Sequence, residues 1–307
     1  MNIGLVLSGG IAKGAYQIGV LQVFKQYLPY DFFSHVSASS IGVLNAYAYL
    51  TDQLDAAEEI WKSQNYTGMI GFVRSFVKDS YIDSLISKVQ PKPLNHACNF
   101  YISALSLSTL HLSYINVKDV EPSEMWSYLK AGVALPPFRA PIKIHNERFV
   151  DGAMVDNIPV YPLVSHKPEL VIVQYFDRES IVFESEDFSS HIIRLTFEEG
   201  KILHDSFAFD RQSICEMIEI GKTAAIQLIK EYQLDSFEAI ADVYKHMNKA
   251  PVKQAIRITG DMLVNNLNIV AKKLIRYSVM KDEGQLNKDN RIVIIEDHTQ
   301  SNRKMER

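Results

Sequence analysis

The sequence predicts an α/β fold with a mainly parallel central sheet. Residues 3–7 form a short apolar run that ends at glycines, and residues 16–27 then carry apolar side chains at helical spacing. The same order returns where residues 35–37 precede a tight turn and the helical pattern of residues 41–50. Two β-turn-α units in succession imply parallel strands that are joined by right-handed crossovers.

Further elements follow in order along the chain. Residues 55–63 continue the helical pattern, and residues 66–77, with scattered aromatic side chains and two glycines, predict a lid-like stretch. Alternating and branched side chains predict a strand at residues 100–107 and its hairpin partner at residues 111–117. A helix is expected over residues 122–134, because a pair of prolines follows and stops it.

The next part of the chain predicts four strands and one long helix. The strand-like segments lie at residues 141–144, 148–150, 170–175 and 192–197. The first two flank a turn at residues 145–147, and Asp151 comes directly after the second. Residues 209–232 then predict a helix with a single buried face.

The last part of the chain predicts a mostly helical C-terminal extension. Helical patterns occur at residues 237–247 and 261–280, and a short strand is expected at residues 292–295. We therefore expect two domains, a main domain over residues 1–232 and an extension over residues 233–307 that packs on or next to it. Residues 261–280 combine apolar positions with basic ones, which is typical both of a helix on an anionic membrane and of a helix packed on the domain with solvated lysines.

Composition indicates a globular protein and argues against some classes of function. Hydrophobic residues make up 47% and charged residues 22% of the 307 residues, which is ordinary for a chain with a full core. A formal net charge of −4 is not the basic footprint of a nucleic-acid binder. No window approaches the roughly 18 apolar residues of a membrane span, and the apolar run after Met1 is too short for a signal peptide. We expect a protein that is cytoplasmic or peripheral at a membrane.

The sequence gives no sign of a metal or a cofactor. Cys98 and Cys215 have neither metal-ligand spacing nor the pattern of a disulfide framework, so both are expected to be core residues in a reducing compartment. No acidic loop has the ligand spacing of a calcium site. We therefore expect neither a metal nor a cofactor.

A glycine-rich turn after the first strand supplies free backbone N–H groups. Residues 8–14 read Ser-Gly-Gly-Ile-Ala-Lys-Gly between the strand and a helical segment. N–H groups at such a turn can face a negative charge, as an oxyanion hole requires, and Gly9, Gly10 and Ile11 are the candidates. Lys13, at the start of the helix, is expected to be either a solvated or a phosphate-facing cation.

A second turn presents a serine in the manner of a nucleophile. Residues 38–42 read Ala-Ser-Ser-Ile-Gly from strand to tight turn to helix, and such a bend exposes a hydroxyl at the edge of a sheet. Ser40 has Gly42 two positions after it, whereas Ser39 would have an isoleucine there. Ser40 is therefore the candidate nucleophile.

A carboxylate on a third turn is suited to act as a base. Asp151 stands beside Gly152 directly after a strand-like segment, where a short side chain on a tight turn can reach a serine. Asp156, shortly after it, is expected to cap a turn instead. His145 is expected to be a turn residue rather than the base of a serine-histidine-aspartate triad.

In this order, the three blocks resemble the patatin-like phospholipase family. The resemblance is carried by residues 5–16 (LVLSGGIAKGAY), residues 39–46 (SSIGVLNA) and residues 149–153 (FVDGA), and it covers roughly residues 1–232. It implies a three-layer α/β/α fold and a dyad of Ser40 and Asp151 that needs no histidine. It also implies a phospholipase A or lysophospholipase type of reaction, in which fatty-acyl esters of phospholipids or lysophospholipids are cleaved through an acyl-enzyme.

Ile11 stands where that family usually has a third glycine. A β-branched residue resists positive φ, so we expect reduced rather than absent activity. Two alternatives stay open: a neutral lipase or carboxylesterase, and a weakly active protein that keeps the fold and binds a lipid or a partner. Peripheral contact with a membrane is a further expectation.

Overall fold

The computed structural model describes residues 2–63, 92, 94, 98–136, 139–176, 191–197 and 209–234. The lid-like stretch predicted at residues 66–77 lies outside the described residues. So do the two helices and the strand predicted at residues 237–247, 261–280 and 292–295. The division into a main domain and an extension therefore stays a prediction.

Eight strands form one sheet in the described part of the chain. They are β1 Ile3–Leu7, β2 His35–Ala38, β3 Asn99–Ser106, β4 Leu112–Asn116, β5 Ile142–Ile144, β6 Glu147–Asp151, β7 Leu170–Gln174 and β8 His191–Leu195. Each prediction of a strand within the described residues is confirmed, and the bounds differ by no more than two residues. The turn between β5 and β6 is one residue shorter than expected, because Glu147 already belongs to β6.

The sheet is mixed and mostly parallel. Five strands run parallel in the order β3-β2-β1-β7-β8. β4 and β6 pair with β3 in the antiparallel direction, and β5 pairs with β6 in the same way. The parallel part follows from the β-turn-α units of the sequence, since parallel neighbours need a crossover connection.

Six helices and three short 3-10 turns complete the described residues. The helices are α1 Gly14–Tyr27, α2 Ile41–Leu50, α3 Leu54–Lys62, α4 Met125–Ala131, α5 Tyr161–Val164 and α6 Arg211–Tyr232. The 3-10 turns are Ile11–Lys13, Val117–Asp119 and Gly152–Met154. The helix predicted over residues 122–134 is shorter than expected: residues 122–124 form a turn, and the chain leaves α4 at Gly132, which packs against Ile102 of the sheet.

Helices cover one face of the sheet, and a thinner layer covers the other. Leu5 and Leu7 of β1 belong to the main core, which also includes buried side chains of α1, α2, α3 and α6. Val6, between them, belongs to a second cluster with Leu163 of α5 and Val171 of β7. Because β1 is buried on both faces, its run is apolar rather than alternating. The described residues thus have the expected three-layer α/β/α arrangement.

Two glycines allow α1 and α6 to cross so closely that their backbones are in contact. A Cβ atom on Gly19 would lie 2.0 Å from the Ile218 carbonyl oxygen. One on Gly221 would lie 2.1 Å from the Tyr16 carbonyl oxygen. This crossing holds the helix that follows the glycine-rich turn against the long helix α6.

β2 and β6 share the same edge of β3, and this brings their carboxyl ends together. Ala38 of β2 pairs with Ile102 of β3, and Asp151 of β6 pairs with Ala104, two residues further along β3. β4 occupies the opposite edge over residues 101–105. Since β2 runs parallel to β3 and β6 runs antiparallel, the turns that follow Ala38 and Asp151 meet.

Candidate active site

Ser40 occupies a strained turn between β2 and α2. It has φ 52° and ψ −131°, a backbone conformation that non-glycine residues rarely adopt. Gly42 makes the turn possible, because a Cβ atom there would lie 2.8 Å from the Leu7 carbonyl oxygen and 2.9 Å from that of Ser8. The first turn of α2 therefore lies directly on the end of β1, and the partly exposed Ser40 stands at its start.

The hydroxyl group of Ser39 is occupied by two hydrogen bonds within the protein. Its hydroxyl donates to the Asp156 carbonyl oxygen at 3.0 Å and accepts a hydrogen bond from the Ser103 hydroxyl at 2.8 Å. Its side chain is fully buried. Of the two adjacent serines, Ser40 is the one with a hydroxyl that is not committed in this way.

Asp151 is fully buried at the end of β6. Burial raises the pKa of its carboxyl group to about 7, although the hydroxyl and N–H of Ser40 and the N–H of Ala153 all favour the ionised form. Oδ1 accepts the Ala153 N–H at 2.9 Å, whereas Oδ2 has no hydrogen bond of good geometry with a described residue. Ser40 nevertheless lies close enough for its hydroxyl and its N–H to stabilise the ionised carboxyl group.

Gly152 follows Asp151 because the turn passes close to β3. A Cβ atom at this position would lie 2.6 Å from the Ser103 carbonyl carbon and 2.7 Å from the Ser103 side chain. A larger residue would push the turn, and Asp151 with it, away from the sheet. The glycine therefore allows the carboxyl group to stay at the end of β2.

The glycine-rich turn lies against Ser40. The position of a Cβ atom on Gly9 is 2.7 Å from Ser40 Cβ and 2.5 Å from Asn157 Oδ1. The Gly9 N–H donates to the Asn157 carbonyl oxygen at 3.3 Å, so it is not a free donor. The N–H groups of Gly10 and Ile11 form no hydrogen bond with a described residue. Of the three expected oxyanion donors, these two keep their N–H groups available.

Ile11 adopts the left-handed conformation that its side chain disfavours. It has φ 54°, and its side chain is buried in the main core. A β-branched residue at positive φ is strained by roughly 1–3 kcal/mol. Burial of the side chain offsets that strain, so the turn takes this shape in spite of the branching.

Lys13 is buried, and the interpretation as a solvated cation is wrong. Its side chain is 1% exposed, and Nζ lies 5.1 Å from the centre of the Phe176 ring. The same ring covers Gly10, where a Cβ atom would lie 2.4 Å from it. The sequence did not indicate this burial, because a lysine at the start of a helix is ordinarily solvated.

A chain of buried amides lies beneath the glycine-rich turn. Gln17 Nε2 donates to the Ser8 carbonyl oxygen at 2.8 Å and to Gln174 Oε1 at 2.6 Å. Asn45 Nδ2 donates to the Gly14 carbonyl oxygen at 2.9 Å and to Gln17 Oε1 at 2.8 Å. Trp61 Nε1 donates to Asn45 Oδ1 at 3.2 Å.

These amides hold the backbone at both ends of the turn. Sequence analysis missed all of them. The available signal was an amide inside an otherwise apolar helix, at Gln17 and Asn45, since a buried polar side chain must be hydrogen-bonded.

Asp156 has the structural role that was expected. Its Oδ1 accepts the Ile158 N–H at 3.1 Å, and its Oδ2 accepts a hydrogen bond from the Tyr114 hydroxyl. Burial raises the pKa of its carboxyl group to about 6, against the effect of both hydrogen bonds. It shapes the turn that leads from Asp151 to Asn157.

The remaining candidates lie outside this cluster. His145 is an exposed turn residue whose Nε2 lies 3.1 Å from Glu124 Oε1. Cys98 is buried as expected, whereas Cys215 is only half-buried. The described residues contain no group of His, Cys, Asp and Glu side chains that could hold a metal ion. None of the helices in the described ranges is long and apolar enough to cross a membrane.

Two named proteins are similar to about half of this chain. A lysophospholipase NTE1 of Cryptococcus neoformans is 27% identical over 173 residues, which are 53% of this chain and 10% of that protein. A patatin-like phospholipase domain-containing protein of Caenorhabditis elegans, ZK370.4, is 29% identical over 171 residues, which are 51% of this chain and 12% of that protein. The chain spans only about a tenth of the length of these relatives.

A solved structure and a family model were also matched. VipD from Legionella pneumophila aligns over 94% of this chain and 81% of its own length, with a TM-score of 0.38 and 11% identity. The family model described as patatin-like phospholipase matches residues 5–164, which include the glycine-rich turn, Ser40 and Asp151. Because that match covers more than half of the sequence, the chain belongs to the patatin-like phospholipase family, a family of lipid hydrolases.

Proposed function

We propose that this protein is a serine acyl hydrolase in which Ser40 is the nucleophile and Asp151 is the base. The observation that carries the proposal is the meeting of β2 and β6 on one edge of β3, which sets a strained serine beside a buried carboxyl group. The pKa of about 7 suits a base that works near neutral pH, because it accepts a proton readily and is still ionised in a large fraction of molecules.

In the proposed reaction, the Ser40 hydroxyl attacks the carbonyl carbon of an ester. Asp151 takes the hydroxyl proton as Ser40 Oγ forms its bond to carbon, and the N–H groups of Gly10 and Ile11 stabilise the negative charge on the carbonyl oxygen. The bond from carbon to the alcohol oxygen then breaks, and Asp151 returns the proton to the leaving alcohol. Water then attacks the acyl carbon of the acyl-enzyme and gives a proton to Asp151. The bond from that carbon to Ser40 Oγ breaks, Asp151 returns the proton to Ser40, and the fatty acid is released.

The substrates in this proposal are fatty-acyl esters of phospholipids or lysophospholipids. Support comes from the family and from the names of two relatives, a lysophospholipase and a patatin-like phospholipase domain-containing protein. Peripheral contact with a membrane is part of the proposal, since such substrates reside in lipid surfaces. Neutral esters are the alternative substrate class.

The test is the release of fatty acid from phospholipids, lysophospholipids and short p-nitrophenyl esters. Wild type is compared with Ser40→Ala and Asp151→Asn, and with Ser127→Ala and Asp119→Asn as controls for the same substitutions elsewhere. We expect wild type and controls to hydrolyse a lipid ester and the two site variants to lose at least about a thousandfold in kcat.

Three results would contradict the proposal in different ways. Full activity in Ser40→Ala would contradict the assignment of Ser40 as the nucleophile. A preference for short soluble esters would favour a carboxylesterase. An inert wild type that still binds phospholipid vesicles would favour the alternative of a protein that keeps the fold and binds a lipid.

A further inference from the structure

The orientation of one N–H group in the glycine-rich turn depends on the carbonyl group of the same peptide. In a trans peptide the C=O and N–H bonds point in opposite directions, so whatever holds the carbonyl also aims the N–H. The Gly10 N–H shares its peptide with the Gly9 carbonyl. The Ile11 N–H shares its peptide with the Gly10 carbonyl.

The two carbonyl groups are held in different ways. The Gly10 carbonyl oxygen accepts the Lys13 N–H at 3.0 Å, a bond within the backbone of the turn. The Gly9 carbonyl oxygen accepts a hydrogen bond from Asn157 Nδ2 at 3.4 Å. One of the two candidate donors is thus aimed by the backbone alone, and the other is aimed by a side chain 148 residues away.

Asn157 is well placed to act on Gly9. Besides the side-chain bond, its carbonyl oxygen accepts the Gly9 N–H at 3.3 Å, so a single residue holds Gly9 on both sides. Its side chain is 3% exposed, and Oδ1 lies over the Cα atom of Gly9, where it has no hydrogen-bond partner among the described residues.

Asn157 is itself anchored to the turn of Ser40. The preceding residue, Asp156, accepts the Ser39 hydroxyl on its carbonyl oxygen at 3.0 Å and the Ile158 N–H on its side chain at 3.1 Å. Asn157, Gly9 and Ser40 then lie in contact, because a Cβ atom on Gly9 would meet the other two at 2.5 Å and 2.7 Å. The segment from Asp151 to Asn157 therefore carries both the proposed base and the residue that holds Gly9 of the glycine-rich turn.

We propose that Asn157 is a positioning residue that aims the Gly10 N–H at the carbonyl oxygen of the substrate. The inference rests on the proposed function, in which that N–H is an oxyanion donor. Loss of the Asn157 amide should misalign one of two donors and leave the Ile11 donor in place. The expected loss is about ten- to a hundredfold in kcat, less than the complete removal of a donor costs, with KM changed by less than about twofold.

The experiment uses Asn157→Leu, which keeps the approximate volume and has no donor, and Asn116→Leu as the matched control. Asn116 Nδ2 forms a partly buried bond with Asn99 Oδ1 at 3.3 Å, away from the glycine-rich turn. In labelled protein we expect the Gly9 carbonyl-carbon and Gly10 amide resonances to shift in Asn157→Leu and not in the control. Unchanged resonances would overturn the inference whether or not the protein is active.

Asn157→Asp gives a second readout that a merely structural role would not change. An ionised carboxylate cannot donate to the Gly9 carbonyl, but a protonated one can. The kcat of this variant relative to wild type should therefore rise as pH falls, and a ratio independent of pH would contradict the positioning role. This variant also serves if Asn157→Leu fails to fold.

Labelling of Ser40 with a fluorophosphonate, followed by intact mass, separates the two proposals. If wild type neither takes the label nor hydrolyses any ester, the proposed function fails, and the glycine resonances still decide whether Asn157 holds the turn. If wild type is active and Asn157→Leu shifts the resonances without lowering kcat, the positioning role in catalysis is overturned and the proposed function stands.

Discussion

Ser40 and Ile11 both have positive φ, at 52° and 54°, on two turns that touch where Gly9 meets Ser40. Neither residue is a glycine, and backbone strain of this kind persists only where the surrounding structure over-determines it. Strain at two facing turns is consistent with a site that is shaped before substrate arrives. Because Ile11 already has this conformation, its substitution by glycine is expected to have little effect on catalysis.

Ile11→Gly should lower stability and leave catalysis nearly unchanged. The turn already has the conformation that a glycine would adopt, so we expect kcat/KM to stay within about threefold. Removal of a buried isoleucine side chain costs about 2–5 kcal/mol, and relief of the strain offsets about 1–3 kcal/mol of that loss. Urea unfolding and steady-state kinetics measure both effects. A large gain in kcat would instead show that Ile11 impairs the oxyanion hole.

The rate should depend on pH through the ionisation of Asp151. The proposed base must be ionised, and burial raises its pKa to about 7. We expect kcat/KM to fall about tenfold per pH unit below that value and to level off above it. The profile is measured with an uncharged ester so that the substrate does not titrate. A flat profile between about pH 5 and 8 would contradict the assignment of Asp151.

Asp151→Asn should be more stable than wild type at alkaline pH. Because the folded pKa is raised, the favourable contribution of this carboxyl group is complete below its unfolded pKa of 3.8 and is lost as pH rises through about 7. The amide keeps the neutral form at every pH. We expect a gain of up to about 4 kcal/mol at pH 8 relative to the difference at pH 4, measured by urea unfolding. A difference independent of pH would show that burial does not raise this pKa.

Gly221→Ala should separate α1 from α6. The new Cβ atom would lie 2.1 Å from the Tyr16 carbonyl oxygen, so the helices must move apart. We expect a loss of about 1–3 kcal/mol or more in the free energy of unfolding, measured by thermal or urea unfolding. Gln227→Ala, at an exposed position of the same helix, is the control and should change it by less than about 0.5 kcal/mol. Equal stability of the two variants would argue against the tight crossing.

Gln17 and Asn45 should be coupled energetically. Gln17→Met and Asn45→Leu each remove one amide and leave buried partners unpaired, at a cost of about 1–3 kcal/mol. Since Asn45 Nδ2 donates to Gln17 Oε1 at 2.8 Å, the double variant should lose less than the sum of the single losses by at least about 0.5 kcal/mol. A double-mutant cycle in urea measures this coupling. Additive losses would mean that the two amides act independently.

Local patterns were enough to predict the elements of the fold. The branched run of residues 3–7 and the helical spacing of residues 41–50 are properties of adjacent residues, so β1 and α2 have the predicted bounds. Gly42 and Gly152 marked the two turns in the sequence, whereas the reason for each glycine is a contact with a distant backbone, that of Leu7 for Gly42 and that of Ser103 for Gly152. The exception was the helix predicted over residues 122–134, where packing on the sheet ends α4 early.

The sequence by itself determined the element types, the parallel part of the sheet and the three turns that bear the candidate site, because these depend on side chains a few positions apart. Only the tertiary structure decided that Lys13 is buried and that Asn157 holds Gly9, together with the amides that support Ser8 and Gly14. Most of these contacts join residues about 30 to 160 positions apart. Which residues form these contacts depends on how strands and helices pack together, and no periodicity along the chain predicts that packing.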